Sequence, residues 1–395
     1  MIDIGLPQEV KFCSKCVISN QRPRSTIEFK SEILTKKETI EFDANGICEA
    51  CQFAEEKNQI NWSHREQELI ELLEKYRKPN GYDVVIPGSG GKDSAYTAHI
   101  LKYKYGMNPL TVTWAPHLYT EIGWQNFTNW SHVGGFDNIL FTPNGKLHRV
   151  LTKEAFCNLL HPFQPFIVGQ RIIGPLIAKK FGIDLVFYGE NQAEYGNKKS
   201  ENFTPLMSKR FFEEDTFENI KLGGLTIGEL TNKYGFEGKE FEPYLPIRPS
   251  KINVHYLGYY LKWDPQECFY YAVENTGFRP APERTEGSYS KYSSLDDKID
   301  PFHYYTTLIK FGLGRASYDA AQEIRNNKIT RAEGIALVKQ FDQEFPGKYF
   351  QDFLDYIEIG KEEFEKTVNS FRSNHLWELT SKDWKLKNPI WSGDA

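Results

Sequence analysis

Apolar and polar positions along this chain change period several times, and each change marks an element. Between residues 82 and 188, short apolar runs (83–87, 109–114, 138–141 and 183–188) alternate with stretches whose apolar residues recur every three or four positions. The helical stretches start at Lys92, Thr120, Leu147 and Phe166. This alternation predicts a doubly wound α/β fold, a parallel sheet with helices on both faces. Upstream, Leu69, Leu72, Leu73 and Tyr76 share one helical face, with Ser63 and Glu66 placed as a capping box and Pro79-Asn80-Gly81 as the stop. Earlier still, 26–29 and 39–43 alternate as short strands, and Ala44-Asn45-Gly46 forms a turn.

Past Tyr195 the period is lost. An amphipathic helix is expected over 210–221, another short one opens at Gly223-Gly224, and 254–262 and 265–276 read as helices. The last of these starts with Asp264-Pro265 as N-cap and first-turn proline. The final hundred residues hold helical segments at 301–311, 317–326, 330–341, 350–357 and 361–371, with Thr330 and Glu333 as a capping box. The expected division is a zinc-ribbon-like segment over 1–61, a connecting helix over 62–81 and the sheet domain over 82–250. A mostly helical region over 251–395 would close one wall of the site.

The first apolar run leads into Gly88-Ser89-Gly90-Gly91-Lys92-Asp93-Ser94. Glycines allow positive φ and close approach of a ligand to the backbone, and the following helix offers unpaired N–H groups to an anion. The stretch departs from the Walker A pattern, because Ile86 stands where the first glycine belongs and Asp93 follows Lys92. Its hexapeptide Ser89–Ser94 resembles the loop of the ATP pyrophosphatase (PP-loop) superfamily, which splits ATP between the α- and β-phosphates. That resemblance implies ATP as cosubstrate, pyrophosphate held by Ser89, Gly90, Gly91 and Ser94, and Asp93 helping to hold Mg2+.

The chain has 395 residues and a formal net charge of −5, with a pI near 6.1. That balance argues against nucleic acid as the main substrate, although Lys198-Lys199, Lys209-Arg210 and 248–251 could form a local basic patch. No apolar run is long enough to span a bilayer, and residues 1–10 lack the apolar core of a signal peptide, so a cytoplasmic protein is expected. Four of the six cysteines form two CxxC pairs, Cys13/Cys16 and Cys48/Cys51, the spacing of a zinc ribbon. A closed structural zinc site is the expected reading, with an iron–sulfur cluster as the alternative.

Ligands of open α/β sheets sit beyond the carboxyl ends of the strands. That rule nominates Trp114 and His117 after the second strand as nucleotide contacts, each with a core or surface reading beside it. Gly189-Glu190-Asn191 after the fourth has little packing purpose. The stretch 279–292 is too polar for core and too aromatic for a linker, a mixture suited to a polyhydroxylated, carboxylated ligand or to a solvated loop.

The order of CxxC pairs, Ser89–Ser94 loop, Gly189-Glu190-Asn191, Glu286-Gly287-Ser288-Tyr289, Asp296-Asp297-Lys298-Ile299-Asp300 and Lys310-Phe311-Gly312-Leu313-Gly314-Arg315 resembles the N-acetyl sugar amidotransferases of the WbpG/PseA type. The resemblance implies an ATP-dependent enzyme that turns an acetamido group of a bacterial surface-sugar precursor into an acetamidino group. Such sugars serve lipopolysaccharide or flagellin glycans. It implies Lys92, Asp93 and Ser94 as catalytic residues and Glu286, Ser288, Tyr289, Lys291 and Lys298 as substrate contacts. Cys157 and Cys268 lie in contexts without a nucleophile elbow, so ammonia is expected from a separate glutaminase with a cyclase-like channelling subunit. The competing readings are a tRNA-modifying PP-loop enzyme, a thiolase or lysidine-type synthetase, and a non-catalytic zinc-ribbon scaffold.

Overall fold

The computed structural model describes residues 4–33, 35–198, 203–381 and 383–392. At its centre five parallel strands, β1 (Val84–Pro87), β2 (Pro109–Trp114), β3 (Asp137–Phe141), β4 (Leu185–Tyr188) and β5 (Asn253–Tyr256), lie in the order β3-β2-β1-β4-β5. β1 and β2 are buried throughout, which is why they read as unbroken apolar runs. Successive side chains still go to opposite faces. Val85 and Val186 enter one core with helices α5 (Gly145–Leu159) and α6 (Gln164–Phe181). Val84, Ile86, Leu185 and Phe187 enter the other, with α2 (Trp62–Tyr76), α3 (Lys92–His99), α4 (Glu121–His132) and the helix Pro265–Thr276.

The C-terminal helices are continuous with the first of these cores. Phe302 stacks on Phe353 at 4.4 Å, and Phe156 of α5 stacks on Phe364 at 5.4 Å. A third core joins the four CxxC cysteines to Ala320, Ala321, Val338 and Ile390, so the N-terminal segment is packed on the C-terminal helices. Lys57, the last residue of α1 (Glu49–Lys57), fixes it further: its buried ammonium donates to Glu194 Oε1 and to the Trp263 carbonyl, both at 2.8 Å.

Several elements differ from the sequence expectation, each for a local reason. The stretch 254–262 holds the fifth strand, followed by a single helical turn, Leu257–Tyr260. Val254, His255 and Tyr256 are all buried, so no alternation marks them as strand, and the sheet extends past residue 250. Residues 210–221 form no helix; a 3-10 turn at Lys209–Phe211 gives way to irregular chain tied by Lys209–Glu213 and Lys30–Glu214 ion pairs. Gly223 and Gly224, both at positive φ, make a hairpin between Lys221–Leu222 and Leu225–Thr226, and the short helix starts after it at Ile227. In the N-terminal segment Glu28–Lys30 is a 3-10 turn whose Phe29 plugs the core, and 39–43 makes only isolated bridges. The cap of α2 is Asn61, not Ser63; Glu66 instead meets Lys104 Nζ and the Tyr105 hydroxyl, both at 2.8 Å. The capping boxes and N-caps expected at Thr330 and Asp264 form as read. Of the candidate basic patch, Lys199 lies outside the described residues, while Lys198 and Lys209 pair with Glu38 and Glu213.

Candidate active site and four-cysteine centre

The strand order reverses between β1 and β4, and both connections at that switch point carry the residues that matter. After β1 the chain turns through Gly88-Ser89-Gly90-Gly91 into α3. Gly90 sits at φ +81°, and a Cβ there would lie 2.7 Å from the Asn126 carbonyl oxygen. A Cβ on Gly88 would lie 2.1 Å from the Ser94 Cβ. These two glycines are demanded by the protein itself. Gly91 is not: it has negative φ, and a Cβ there would meet nothing closer than Ser89 Oγ at 3.7 Å. The open space at Gly91 lines the cleft, where a phosphate can approach the backbone.

The cleft encloses about 540 Å³. Ser89, Gly91, Asp93 and Ser94 form its β1 side, Gly189 and Glu190 its β4 side, Val112 and Trp114 its floor, and Arg171 and Tyr304 further walls. Lys92 Nζ is 2.5 Å from Asp93 Oδ2. Burial works against the Lys92 ammonium, but the Asp93 carboxylate outweighs it, and the Lys92 pKa is raised. Across the cleft, burial and then the Asp93 charge push the Glu190 carboxyl up, while the Tyr195 hydroxyl donates to Glu190 Oε1 at 2.6 Å. Two carboxylates thus face each other through their mutual repulsion, which is donor chemistry for a hard divalent cation. Trp114 Nε1 and Arg171 Nη1 are buried donors without a protein partner.

Of the residues nominated from sequence, Ser89, Gly91, Asp93, Ser94, Trp114, Gly189 and Glu190 share the cleft. Lys92 faces two smaller chambers beyond the loop, and Gly90 supports the turn. Asn191 is buried and spends its side chain capping the 3-10 turn Gln192–Tyr195, accepting from the Ala193 amide at 3.0 Å. His117 is core: its ring lies between Phe166 and His148, with Nδ1 2.7 Å from Asp297 Oδ2.

The five expected substrate contacts do not line the cleft or the chambers. Glu286 accepts from the Lys348 amide at 3.1 Å, Tyr289 packs beside the four-cysteine core, and Lys291 donates to the Pro282 carbonyl. Lys298 pairs with Asp352 at 2.7 Å. Ser288 is fully buried and reaches the site only through Asp319, to which it donates at 2.5 Å. Their neighbours do face the loop: Ser293, Ser294, Asp296 and Arg315 line a chamber of about 150 Å³ with Lys92 and Asp93. A Cβ on Gly123 of α4 would lie 2.3 Å from the Asp296 Cα, so a close backbone crossing holds this segment against the PP-loop side. Arg315 stood inside the segment Lys310–Arg315 quoted above without a role assigned, and Arg22 and Tyr304 carried no sequence signal.

The four cysteines are buried, and their sulfurs all lie within 4.8 Å of one another, with Cys13–Cys51 at 3.9 Å and Cys16–Cys48 at 3.7 Å. A metal about 2.3 Å from each of four sulfurs requires S–S separations of about 3.8 Å, so the donor set fits tetrahedral zinc. The amides of Lys15, Cys16 and Cys48 point at Cys13 Sγ at 3.3–3.5 Å, the way a knuckle stabilises a thiolate. Arg331 donates to the Cys13 and Cys16 carbonyls and ties the centre to the C-terminal helices. The other two thiols are poor nucleophiles. Burial pushes Cys157 to about 11 and holds Cys268 well above the ordinary thiol value. Among the described residues no helix is long and apolar enough to cross a membrane.

Fold, loop and switch-point cleft together define the class: a doubly wound parallel α/β sheet whose glycine-rich turn resembles the PP-loop and lines a cleft at the switch point, with a four-cysteine module packed on its C-terminal helices. Residues 286–390 match the family model described as "LPS biosynthesis protein WbpG-like, C-terminal domain". A search of the curated proteins returns no match. Among solved structures, an NMN synthetase from Francisella tularensis is similar at 13% identity, over 72% of this chain and 93% of the other, with a TM-score of 0.30.

Proposed function

We propose that this chain is an ATP-dependent amidotransferase that converts an acetamido group of a bacterial surface-sugar precursor into an acetamidino group. The observation that carries the reading is the meeting of two parts at one place. The PP-loop lines a cleft at the switch point, and Tyr304 and Arg315 of the WbpG-like segment stand against the same Lys92–Asp93 pair. An amide is inert toward ammonia, so its oxygen must first become a leaving group. In the proposed reaction the acetamido oxygen attacks the α-phosphorus of ATP, the bond to the β-phosphate oxygen breaks, and pyrophosphate leaves. Ammonia then adds to the imidoyl carbon, AMP departs with the electron pair, and loss of a proton gives the amidine.

Loop amides and Lys92 would stabilise charge developing on the phosphates, and the empty space at Gly91 allows that approach. Asp93 and Glu190 would hold Mg2+, which supplies charge neutralisation at the phosphates. The zinc centre would be structural, because all four donor positions are protein sulfurs.

Cys268 is buried, Cys157 is half-buried, and both are raised in pKa, which supports an external ammonia source: a glutaminase partner with a cyclase-like channelling subunit. The decisive measurement is pyrophosphate release from ATP with a panel of acetamido sugar nucleotides and nonulosonic acids, with ammonium or glutamine as nitrogen donor. The expected result is turnover with ammonium by the chain alone, unchanged in Cys157→Ser. No release with any acetamido acceptor, or glutamine-dependent turnover by the isolated chain, would count against the reading.

A further inference from the structure

Beyond the Lys92–Asp93 pair lies a second chamber, of about 130 Å³, that shares Asp93, Tyr195 and Tyr304 with the nucleotide cleft. Its wall draws Arg22 from the segment after the first CxxC pair and Arg315 and Arg325 from the helix Arg315–Arg325. The charges do not balance. Lys92 has Asp93, and Arg315 has Asp319 at 3.0 Å. Among the described residues no carboxylate comes within ion-pair distance of Arg22 or Arg325. Arg22 is 7% exposed, lies over the rings of Tyr318 (5.0 Å) and Tyr195 (5.9 Å), and keeps Nε without a partner. Arg325 donates one Nη2 bond to the Glu194 carbonyl at 2.8 Å and leaves Nε and Nη1 unpaired. A buried guanidinium without its hydrogen bonds costs stability, and burial indeed depresses the Arg22 pKa. Such a cost persists where a ligand repays it.

We propose that this chamber is the acceptor's anion subsite: Arg22 and Arg325 clamp an oxyanion of the sugar, a carboxylate or a phosphate, while Tyr304 and Tyr318 flank its ring. The inference rests on the amidotransferase reading and specifies its acceptor as acidic. It also gives the four-cysteine module a place in the site, since Arg22 follows Cys16 by six residues and its carbonyl is pinned by the Ile40 amide at 3.0 Å. The chamber adjoins the nucleotide cleft at Asp93, Tyr195 and Tyr304, so an acceptor bound there would stand next to the phosphates. The rival explanation is that the two arginines only offset the negative charge of a metal-bound tetrathiolate close by.

Calorimetric titration of the full chain, its nucleotide cleft filled with a non-hydrolysable ATP analogue, separates the two. N-acetylneuraminic acid offers a carboxylate, UDP-N-acetylglucosamine a diphosphate, and N-acetylglucosamine no anion. The proposal expects one of the charged probes to bind, and Arg22→Gln and Arg325→Gln each to weaken it about tenfold or more, the scale of a lost charge-assisted hydrogen bond. Arg22→Lys should recover part of the loss, and zinc content and analogue affinity should match the wild type. Which charged probe binds identifies the anion. Failure of both charged probes to bind, equal binding of the neutral sugar, or variants that lose zinc while any metal-loaded fraction binds normally would overturn it. Because the readout is binding, absence of turnover would sink the amidotransferase reading without deciding this one.

Discussion

The switch-point cleft and the arginine chamber meet at Asp93, Tyr195 and Tyr304, yet they are built in different ways. The cleft takes its key groups from two short stretches, 88–94 and 189–190, that follow adjacent strands of one sheet. The chamber draws on residues 22, 195, 263, 304 and 315–325, hundreds of positions apart, brought together only when the four-cysteine module packs on the C-terminal helices. A site made by strand ends survives in a local motif. A site made by docking leaves no local signature.

The comparison can be broken most severely at Asp93. Asp93→Ala should leave the circular dichroism spectrum intact and remove nearly all ATP-dependent pyrophosphate release, because the loop's carboxylate pairs Lys92 and faces Glu190. Near-normal release would put the chemistry elsewhere. Next comes the metal. Elemental analysis should find about one zinc per chain, and Cys13→Ser should lose it with a marked drop in thermal stability, since a structural zinc site contributes folding energy directly. Because the module carries Arg22, the chamber should fail before the sheet does; hydrogen exchange should show protection lost around 315–325 while β1 and β2 stay protected.

The loop itself offers a sharper pair. Gly88→Ala forces a Cβ into Ser94 and should cost stability by about 2 kcal/mol, measured by denaturant unfolding. Gly91→Ala should leave stability nearly unchanged and raise the KM for ATP, because its Cβ would enter space that only a ligand fills. Equal stability losses would show that both glycines serve the fold alone.

The smallest effect concerns pH. Burial first, with Asp296 and Asp297 adding to it against Arg315, pushes Asp300 up to about 7 from its ordinary 3.8. A carboxyl raised on folding favours the native state below its unfolded pKa, and that advantage is lost as pH climbs through the folded value. Asp300→Asn should therefore gain in melting temperature relative to wild type at pH 8 and show little or no gain at pH 4. A pH-independent difference would remove titration of Asp300 as the cause.

Periodicity located four of the five strands and most of the helices, because each buries one face or is buried on both. It missed β5 because, in a four-residue strand buried at its last three positions and followed at once by a helical turn, apolar spacing cannot tell strand from helix. The cap of α2 slipped by two residues because Asn61 and Ser63 both suit an N-cap, and tertiary contacts of Glu66 chose between them. His117 read as a candidate ligand contact because a histidine past a strand end is polar by type. Asp297, 180 residues away, holds its Nδ1 and makes it a core group, with Nε2 left without a protein partner.

The sequence by itself determined the chemistry that depends on neighbours along the chain. The PP-loop turn needs glycine where φ is positive or Ser94 crowds, and each CxxC knuckle needs its two sulfurs three residues apart. Only the tertiary structure decided what depends on neighbours in space. It placed Glu190 opposite Asp93, sent Lys291 and Lys298 to surface partners, and closed Arg22 against Tyr318 and Arg325 in one chamber. The physical reason is range: backbone geometry and metal-ligand spacing act over a few residues, whereas burial and unpaired charge are properties of packed surfaces that the chain brings together only on folding.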